Sequence, residues 1–191
     1  MENQKLSEKI ALGLERISEA YRNLLGQEAV RTGLSPIQIR ILIFISHHAD
    51  TLCNVTSIAK EFNLTKPTIS DAVNSLETKK LIRKKPSVAD NRSFKIQVTK
   101  AGAEIVSNVE DYYTPVTAII EKLDEPDLES LYASISHLIY NLHKSDVLKV
   151  QRTCFACKFY EKRKGHFCQL LNMSLENSDI RLDCAEFESP N

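Results

Sequence analysis

The sequence predicts a mainly helical α+β fold with one β-hairpin and a cysteine-rich segment near its C-terminal end. Three observations lead to this prediction. Apolar residues recur at three- and four-residue steps through most of the chain, which is typical of helices with one buried face. Residues 94–99 instead alternate apolar and polar side chains, as a half-buried strand does. Four of the five cysteines lie between positions 154 and 184.

Length and charge set limits on the class of protein. The 191 residues suffice for one domain of about 150 residues plus a small appended module. Totals of 25 basic and 25 acidic residues cancel, but residues 60–100 carry ten basic side chains against four acidic ones, as a phosphate-binding face requires. The polar N-terminus and the lack of a long aliphatic run predict a cytoplasmic protein that does not contact membranes.

The N-terminal region is predicted to form two helices. Residues 5–31 carry a long, narrow apolar stripe that ends before Gly33. This stripe lies either in the chain's own core or against the same helix of a second subunit. Next, Ser35, Pro36 and Gln38 supply a hydroxyl cap, a proline at the first helical position and a capping-box glutamine, so a second helix is expected from there to about His47.

Two short helices joined by a tight turn are predicted over residues 56–78. Thr56 is the expected cap of the first helix, and Thr65 is the expected cap of the second. The second helix would bury Ile69, Ala72, Val73 and Leu76. Its outward residues, which could reach base edges and phosphates, are Lys66, Pro67, Thr68, Ser70, Asp71 and Asn74. On this helix alone, an ordinary solvated surface explains them equally well.

A β-hairpin with a charged tip follows. A strand begins at Leu81 and Ile82, the polar loop is expected over residues 86–92, and Thr99 is expected to cap the next helix. The first strand carries the basic side chains Arg83, Lys84 and Lys85, and the second carries Lys95. Two helices followed by such a hairpin form a winged helix-turn-helix.

Four segments of the sequence resemble the multiple-antibiotic-resistance regulator (MarR) family of winged-helix transcription factors. The resemblance covers about residues 5–145 and is carried by LSPIQIRIL, LTKPTISDAVNSLETKKLIRK, DNRSFKIQVT and TKAG. Its most specific part is Asp90-x-Arg92-Ser93 followed by an alternating strand and Thr99-x-x-Gly102. It implies a homodimeric, sequence-specific DNA-binding regulator rather than an enzyme, on a pseudo-palindromic double-stranded operator.

The resemblance also assigns roles in the wing. Asp90 would orient the wing and Arg92 would enter the minor groove, with Lys84 and Lys95 completing the DNA-binding set. One position departs from the family: Lys80 stands where a glycine usually separates the recognition helix from the strand. A lysine there must adopt the left-handed conformation or end the helix differently.

Two further helices are expected after the wing. Residues 100–122 have helical apolar spacing, and Pro115 should kink or interrupt this helix. Asp124 and Pro126 open a last long helix, which the resemblance places in the dimer interface. The predicted organisation is a dimerisation helix over 1–34, the DNA-binding domain over 35–100, dimerisation helices over 101–148 and a metal module over 149–191.

The C-terminal thiols predict a metal site. The spacing is C-x2-C, then ten residues, C, fifteen residues and C, formed by Cys154, Cys157, Cys168 and Cys184. In a cytoplasmic protein such thiols indicate a metal or redox site rather than disulfides. Structural zinc generally uses two C-x2-C pairs, whereas a [4Fe-4S] cluster accepts one close pair and two isolated thiolates. Zinc and a metal-free thiol switch stay open, and Cys53 is expected to be a buried apolar residue.

The strings CFACKFYEKRKGHFCQLL and DIRLDCAEFE are also similar to small four-cysteine modules of the high-potential iron-sulfur type, as in accessory subunits of some glycyl-radical enzymes. Together the two resemblances imply a regulator whose DNA binding is tuned by a [4Fe-4S] cluster in response to redox state, oxygen, nitric oxide or iron supply. One alternative is the same regulator with a structural four-cysteine zinc site. Another is a redox or electron-transfer protein, which no catalytic motif in the sequence supports.

Overall fold

The computed structural model describes residues 5–86, 94–184 and 186–190. Within them the chain forms seven helices: α1 (Leu6–Thr32), α2 (Pro36–His47), α3 (Val55–Glu61), α4 (Lys66–Thr78), α5 (Lys100–Val109), α6 (Thr114–Ile120) and α7 (Glu125–Lys144). The strands in the same residues are β1 (Ile82–Pro86), β2 (Phe94–Val98), β3 (Tyr160–Lys162), β4 (His166–Cys168) and β5 (Met173–Leu175). This mainly helical architecture with two small sheets agrees with the predicted fold class.

The contacts divide the chain into two units. The first joins the residues up to Cys53 with Ser70–Thr117, and the second joins Asn54–Ile69 with Ala118 and the residues beyond it. The helix α3 therefore belongs to the same unit as α7 and the cysteine-rich segment. Among the described helices none alone is long and apolar enough to cross a membrane, and α1 and α2 reach that limit only as a pair bent by 92°.

Helix α2 supplies the centre of the first unit. Its residues Ile39, Ile41 and Leu42 are fully buried, and the helix packs on α1, α5 and β2. The capping box is formed as predicted, because the Ser35 hydroxyl accepts from the Gln38 backbone N–H and the Gln38 side chain accepts from the Ser35 N–H at 2.9 Å. The Gln38 amide also donates to the Ser75 hydroxyl at 2.9 Å, which ties α2 to α4.

The ends of the first helices follow local chemistry. Helix α1 ends as predicted, with Gly33 in the left-handed conformation at φ 65°. The prediction for α3 was wrong in its cap: Asn54 rather than Thr56 caps this helix, and its side-chain oxygen accepts from the Ser57 N–H at 2.9 Å. Asparagine is the stronger cap of the two, so the helix starts earlier and includes Thr56. The Thr65 hydroxyl accepts from the Thr68 N–H at the start of α4, as predicted.

The wing is a two-stranded antiparallel hairpin. Its register pairs Ile82 with Val98, Lys84 with Ile96, and Pro86 with Phe94. Pro86 was expected in the loop but ends β1, where an edge strand can accommodate a residue without an N–H. The apolar residues that face the core, Ile82 and Ile96, are buried. The Ile96 N–H donates to the Cys53 carbonyl at 2.8 Å, which fixes β2 on the residue before Asn54.

Lys80 adopts the left-handed conformation that the missing glycine predicts, at φ 60°. Its N–H donates to the Glu77 carbonyl at 2.8 Å, and the Leu81 N–H donates to the Leu76 carbonyl at 3.0 Å. This pair of bonds is the Schellman arrangement that ordinarily has glycine at the left-handed position. The chain therefore keeps the usual turn into the wing, with a lysine in a strained backbone conformation.

The single helix expected over residues 100–122 is two helices. Helix α5 ends at Val109 and α6 begins at Thr114, so the four residues between them interrupt the helical ladder. Pro115 lies in the first turn of α6, where its missing N–H has no helical partner to lose. Helix α7 starts as predicted, with the Asp124 carboxylate accepting from the Asp127 N–H at 3.1 Å.

The segment after α7 folds around three short antiparallel strands in the order β3-β4-β5. Thr153, Leu175 and Ile180 are buried within it. The hydroxyl of Tyr132 on α7 donates to the Ile180 carbonyl, and Phe155 stacks on the His137 ring of α7 with centroids 5.0 Å apart. The cysteine-rich segment therefore has its own core and rests on α7.

Candidate functional site

The outer side of α4 carries the polar residues that the sequence singled out. Ile69, Val73 and Leu76 are fully buried, and Ala72 is nearly so. The opposite side exposes Lys66, Pro67, Thr68, Asp71 and Asn74 and half-exposes Ser70. This arrangement leaves hydrogen-bonding side chains in the N-terminal half of α4 free to meet an external surface, as a recognition helix requires.

Lys84 joins the wing to α4. Its Nζ lies 2.7 Å from Asn74 Oδ1 and 2.7 Å from Glu77 Oε2, and it sits 5.0 Å from the centroid of the Phe94 ring. This lysine was predicted to contact DNA, but its ammonium group already has two acceptors within the protein. Its contacts tie β1 to the C-terminal half of α4.

The other predicted wing residues differ in their surroundings. Lys95 is half-buried, with its Nζ 4.0 Å from Asp50 Oδ2. Arg83 and Lys85 are exposed along β1. Asp90 and Arg92 lie outside the described residues.

The four C-terminal cysteines line one pocket. Cys154, Cys157, Cys168 and Cys184 come from a 3-10 turn, from β4 and from the last segment of the chain. The apolar and aromatic residues of the lining are Phe159, Tyr160, Phe167, Leu170, Leu171 and Leu175. The fold thus brings together residues up to thirty positions apart in the way that the spacing predicted.

Two hydrogen bonds from Arg181 reach the sulfur atoms. Its backbone N–H donates to Cys154 Sγ at 3.3 Å, and its Nη1 donates to Cys184 Sγ at 3.8 Å. The pKa of Arg181 is raised, first by its hydrogen bond to Cys184. A donor aimed at sulfur stabilises negative charge on it, so the Arg181 N–H favours the thiolate form at Cys154.

Burial and the neighbouring thiols act in the other direction. Burial raises the pKa of Cys154, the Arg181 N–H lowers it, and the nearby Cys184, Cys168 and Cys157 raise it further. Thiolates at these positions would repel one another in a partly apolar pocket. A bound cationic centre removes that repulsion, since a coordinating thiol is deprotonated.

Among the described residues, no three Cys, His, Asp or Glu side chains are placed to hold a single metal ion. The four cysteines nevertheless share one pocket. The predicted metal module is, within the residues that the structure describes, a pocket lined by four thiols.

An ion-pair network that sequence reasoning missed connects this pocket to α3. Arg152 Nη1 lies 2.9 Å from Glu61 Oε2, while its Nε lies 2.6 Å from Asp183 Oδ1. The Arg152 side chain is only 12% exposed. Burial lowers its pKa, but the bonds to Asp183 and Glu61 outweigh that effect and raise it. The Cys184 N–H donates to the Arg152 carbonyl at 3.0 Å, so this network includes the backbone of a pocket cysteine.

Cys53 and His166 have structural roles. Cys53 is 1% exposed, which confirms the predicted buried residue, and burial followed by the charge of Asp50 raises its pKa to about 11. His166 Nδ1 lies 2.7 Å from the Tyr160 hydroxyl and its Nε2 lies 3.2 Å from Asn177 Oδ1. Both ring nitrogens are therefore engaged next to the thiol pocket.

Comparisons with known proteins agree with the winged-helix geometry. Residues 32–93 match the model of the MarR family. The chain is 22% identical over 135 residues to the HTH-type transcriptional repressor YetL of Bacillus subtilis (strain 168), covering 70% of this chain and 81% of that protein. It is 26% identical over 117 residues to the transcriptional regulator MhqR of the same organism, covering 59% of this chain and 79% of MhqR.

Solved structures share the fold. The S. aureus MepR–DNA complex superposes with a TM-score of 0.60 at 22% identity, covering 70% of this chain and 97% of that one. A MarR transcriptional regulator from Methanosarcina mazei Go1 superposes with a TM-score of 0.62 at 15% identity, covering 72% and 98% of the two chains. These likenesses show that the chain has the winged-helix fold of these proteins.

Proposed function

We propose that the chain is a homodimeric, sequence-specific DNA-binding regulator whose affinity for its operator depends on a [4Fe-4S] cluster held by Cys154, Cys157, Cys168 and Cys184. The observation that carries the DNA-binding part is the exposed polar side of α4 beside a basic wing, within a fold shared with MarR regulators. The related MepR protein has been solved in complex with DNA. Two copies of α4 in a dimer would meet two half-sites of a pseudo-palindromic duplex.

The cluster rests on the donor set and its setting. Four thiols line one pocket, their spacing of one close pair and two isolated thiols is one that a cluster accepts, and Arg181 directs two donors at sulfur. When bound, a [4Fe-4S] cluster supplies a redox-active centre whose potential depends on burial and on such hydrogen bonds. The apolar residues of the pocket limit the access of water to the thiols, and Arg181 moderates their mutual repulsion.

Arg152 offers the route by which the thiol pocket acts on DNA binding. Because its carbonyl accepts from Cys184 and its guanidinium pairs with Glu61 on α3, a rearrangement of the last cysteine alters a contact of the first helix of the helix-turn-helix. Such a switch requires two arrangements of different stability, one favoured by the loaded pocket and the other by the empty one.

The DNA-binding part is tested with anaerobically purified full-length protein. Duplexes are selected from a random-sequence library, and binding of the selected and scrambled duplexes is measured by fluorescence anisotropy over a range of salt concentrations. We expect preference for the selected duplex and affinity that falls steeply with salt. Thr68→Ala on the exposed side of α4 should reduce that preference, whereas Thr117→Ala, on α6, should not. Equal affinity for all duplexes would contradict sequence-specific binding.

The cluster is tested separately on the same preparation by metal and sulfide analysis and by its visible spectrum. We expect a brown protein with four iron and four sulfide per chain, lost in Cys168→Ser, while Cys53→Ser keeps it. If metal analysis finds one zinc per chain and no iron, the cluster proposal is wrong and the four cysteines hold a structural zinc ion. In that case oxidation should leave DNA affinity unchanged until the segment unfolds.

A further inference from the structure

A basic pocket lies at the turn of the helix-turn-helix, and of its lining residues only Lys66 has been assigned a role above. Its lining comes from α3, from the turn after it, from the first residue of α4 and from the segment after α7: Thr56, Ala59, Lys60, Asn63, Leu64, Lys66 and Lys149. All of these residues belong to the second unit of the chain. Residue 149 lies far beyond the residues that match the family model.

The chemistry of the lining favours an anion. Three lysines line the pocket, together with the hydroxyl-bearing Thr56 and the amide-bearing Asn63. Lys149 has one acidic neighbour, Asp146, at 2.7 Å, and within the described part of the chain neither Lys60 nor Lys66 forms an ion pair. Charges of one sign converging on a concave site raise the local potential and attract a counter-ion. Lysines and hydroxyls are also typical phosphate ligands.

The fold holds Lys149 at this place. Arg152, three residues later, forms its 2.9 Å ion pair with Glu61, the residue after Lys60. The backbone over residues 149–152 is therefore tied to the C-terminal end of α3. Because Arg152 is also paired with Asp183 next to Cys184, the position of Lys149 depends on the segment that carries the thiols.

We propose that Lys60, Lys66 and Lys149 form a binding site for a phosphate of the DNA backbone, with Lys149 reaching the duplex from outside the winged-helix domain. The inference rests on the proposed DNA-binding function and adds two lysines outside α4, Lys60 and Lys149, to the DNA contacts. Phosphate contacts fix the register of a protein on the duplex and carry no sequence information. Lys149 therefore contributes affinity without contributing specificity.

The experiment compares Lys149→Ala with Lys162→Ala, an exposed lysine on β3 outside the pocket. Affinity of the full-length protein for the selected and scrambled duplexes is measured at several salt concentrations. We expect Lys149→Ala to weaken binding to both duplexes by the same factor, and to reduce the slope of log affinity against log salt by about 1.8, the value for two lost phosphate contacts, one from each subunit of the dimer. Lys162→Ala should behave as the wild type.

A second variant acts in the opposite direction. Asp146→Asn removes the acidic neighbour of Lys149 and keeps a residue type that tolerates the left-handed backbone at this position, φ 59°. It should tighten binding to both duplexes at low salt. Circular dichroism confirms that each variant is folded.

The outcomes separate this inference from the proposed function. If the wild type binds a selected duplex but Lys149→Ala matches Lys162→Ala at every salt concentration, the phosphate site is overturned and DNA binding stands. If inorganic phosphate binds the wild type and not Lys149→Ala while DNA affinity is the same for both, the pocket holds a free anion and the proposal is also wrong. If the wild type binds no duplex, the proposed function itself fails.

Discussion

At the scale of single residues, Lys80 is the clearest case of a residue whose side chain disfavours the backbone conformation that it adopts. It occupies the left-handed position of the turn between α4 and β1 at φ 60°. We expect Lys80→Gly to raise the free energy of unfolding by about 0.5–1 kcal/mol, because relief of the left-handed strain exceeds the entropy that glycine loses on folding. The measurement is urea denaturation at one fixed protein concentration.

Asn63 provides the matched control for Lys80. It also has positive φ, at 50°, but asparagine tolerates this region better than lysine does. Asn63→Gly should therefore gain less than Lys80→Gly. A loss of stability in Lys80→Gly would show that the lysine is held by contacts that outweigh its backbone strain.

Residue-scale features were also the most predictable from the sequence. The caps at Ser35, Thr99 and Asp124 form as expected, because a cap and its partner are three residues apart and need no tertiary information. The wrong prediction of Thr56 instead of Asn54 as the cap of α3 has the same local origin, because both residue types can cap a helix. The burial of Cys53 followed from its position between predicted helices.

At the scale of elements, Arg152 connects α3 with the cysteine-rich segment. Arg152→Met removes the cation that pairs with Glu61 and Asp183, and Glu61 is only 22% exposed. We expect a loss of about 2 kcal/mol in the free energy of unfolding, between the values for exposed and fully buried ion pairs. We also expect DNA affinity to lose its dependence on the oxidation state of the thiols.

The control for Arg152 is Arg163→Met, which removes an exposed partner of Glu161 in the same segment. Its effect on stability should stay within about 0.5 kcal/mol. A double-mutant cycle with Glu61→Gln and Arg152→Met isolates the pair from the rest of the network. If the two substitutions have additive effects on the free energy of unfolding, Arg152 does not connect the thiol pocket with α3 through Glu61.

The sequence predicted the meeting of the four cysteines but not the ion pair between Arg152 and Glu61. The spacing of the cysteines was enough to predict that they meet, and they line one pocket. Arg152 and Glu61 are 91 residues apart, and no periodicity relates them. A weak signal was present, since Arg152 lies two residues before Cys154 and Asp183 lies directly before Cys184. The interruption between α5 and α6 was only half predicted, because a proline is compatible with a kink or with a new helix start.

At the scale of the whole molecule, the exposed apolar stripe of α1 is the feature that a single chain does not explain. Leu6, Ile10 and Ile17 recur on one side of the helix and are 50–72% exposed. Large exposed apolar patches mark interaction sites. Further exposed apolar side chains occur on the later helices, at Ile119, Leu131 and Leu138. This distribution agrees with the proposed dimer.

Ile10→Glu tests the dimer because it places a charge within the stripe. We expect the dimer dissociation constant to rise at least about tenfold, since burial of an unpaired carboxylate costs more than 1.4 kcal/mol. DNA affinity should fall with it, because one subunit contacts one half-site. Sedimentation equilibrium measures the first effect and anisotropy the second.

Leu12→Glu is the matched control, because Leu12 is equally exposed, at 50%, but lies on the other side of α1. It should leave the oligomeric state unchanged. A monomeric wild type, or equal effects of the two variants, would contradict an interface through this stripe.

The joint at the base of the wing has a mechanical consequence. The Thr99 hydroxyl donates to the Lys80 carbonyl at 2.8 Å, its N–H donates to the Leu81 carbonyl at 3.0 Å, and a Cβ on Gly102 would lie 2.1 Å from that same oxygen. The first turn of α5 is thus in direct backbone contact with the residues that lead into β1, and there is no space between them for a side chain at position 102. We expect a tilt of α5 to turn the wing through the same angle. A larger residue at position 102 would push the start of α5 away from β1, so only glycine fits there.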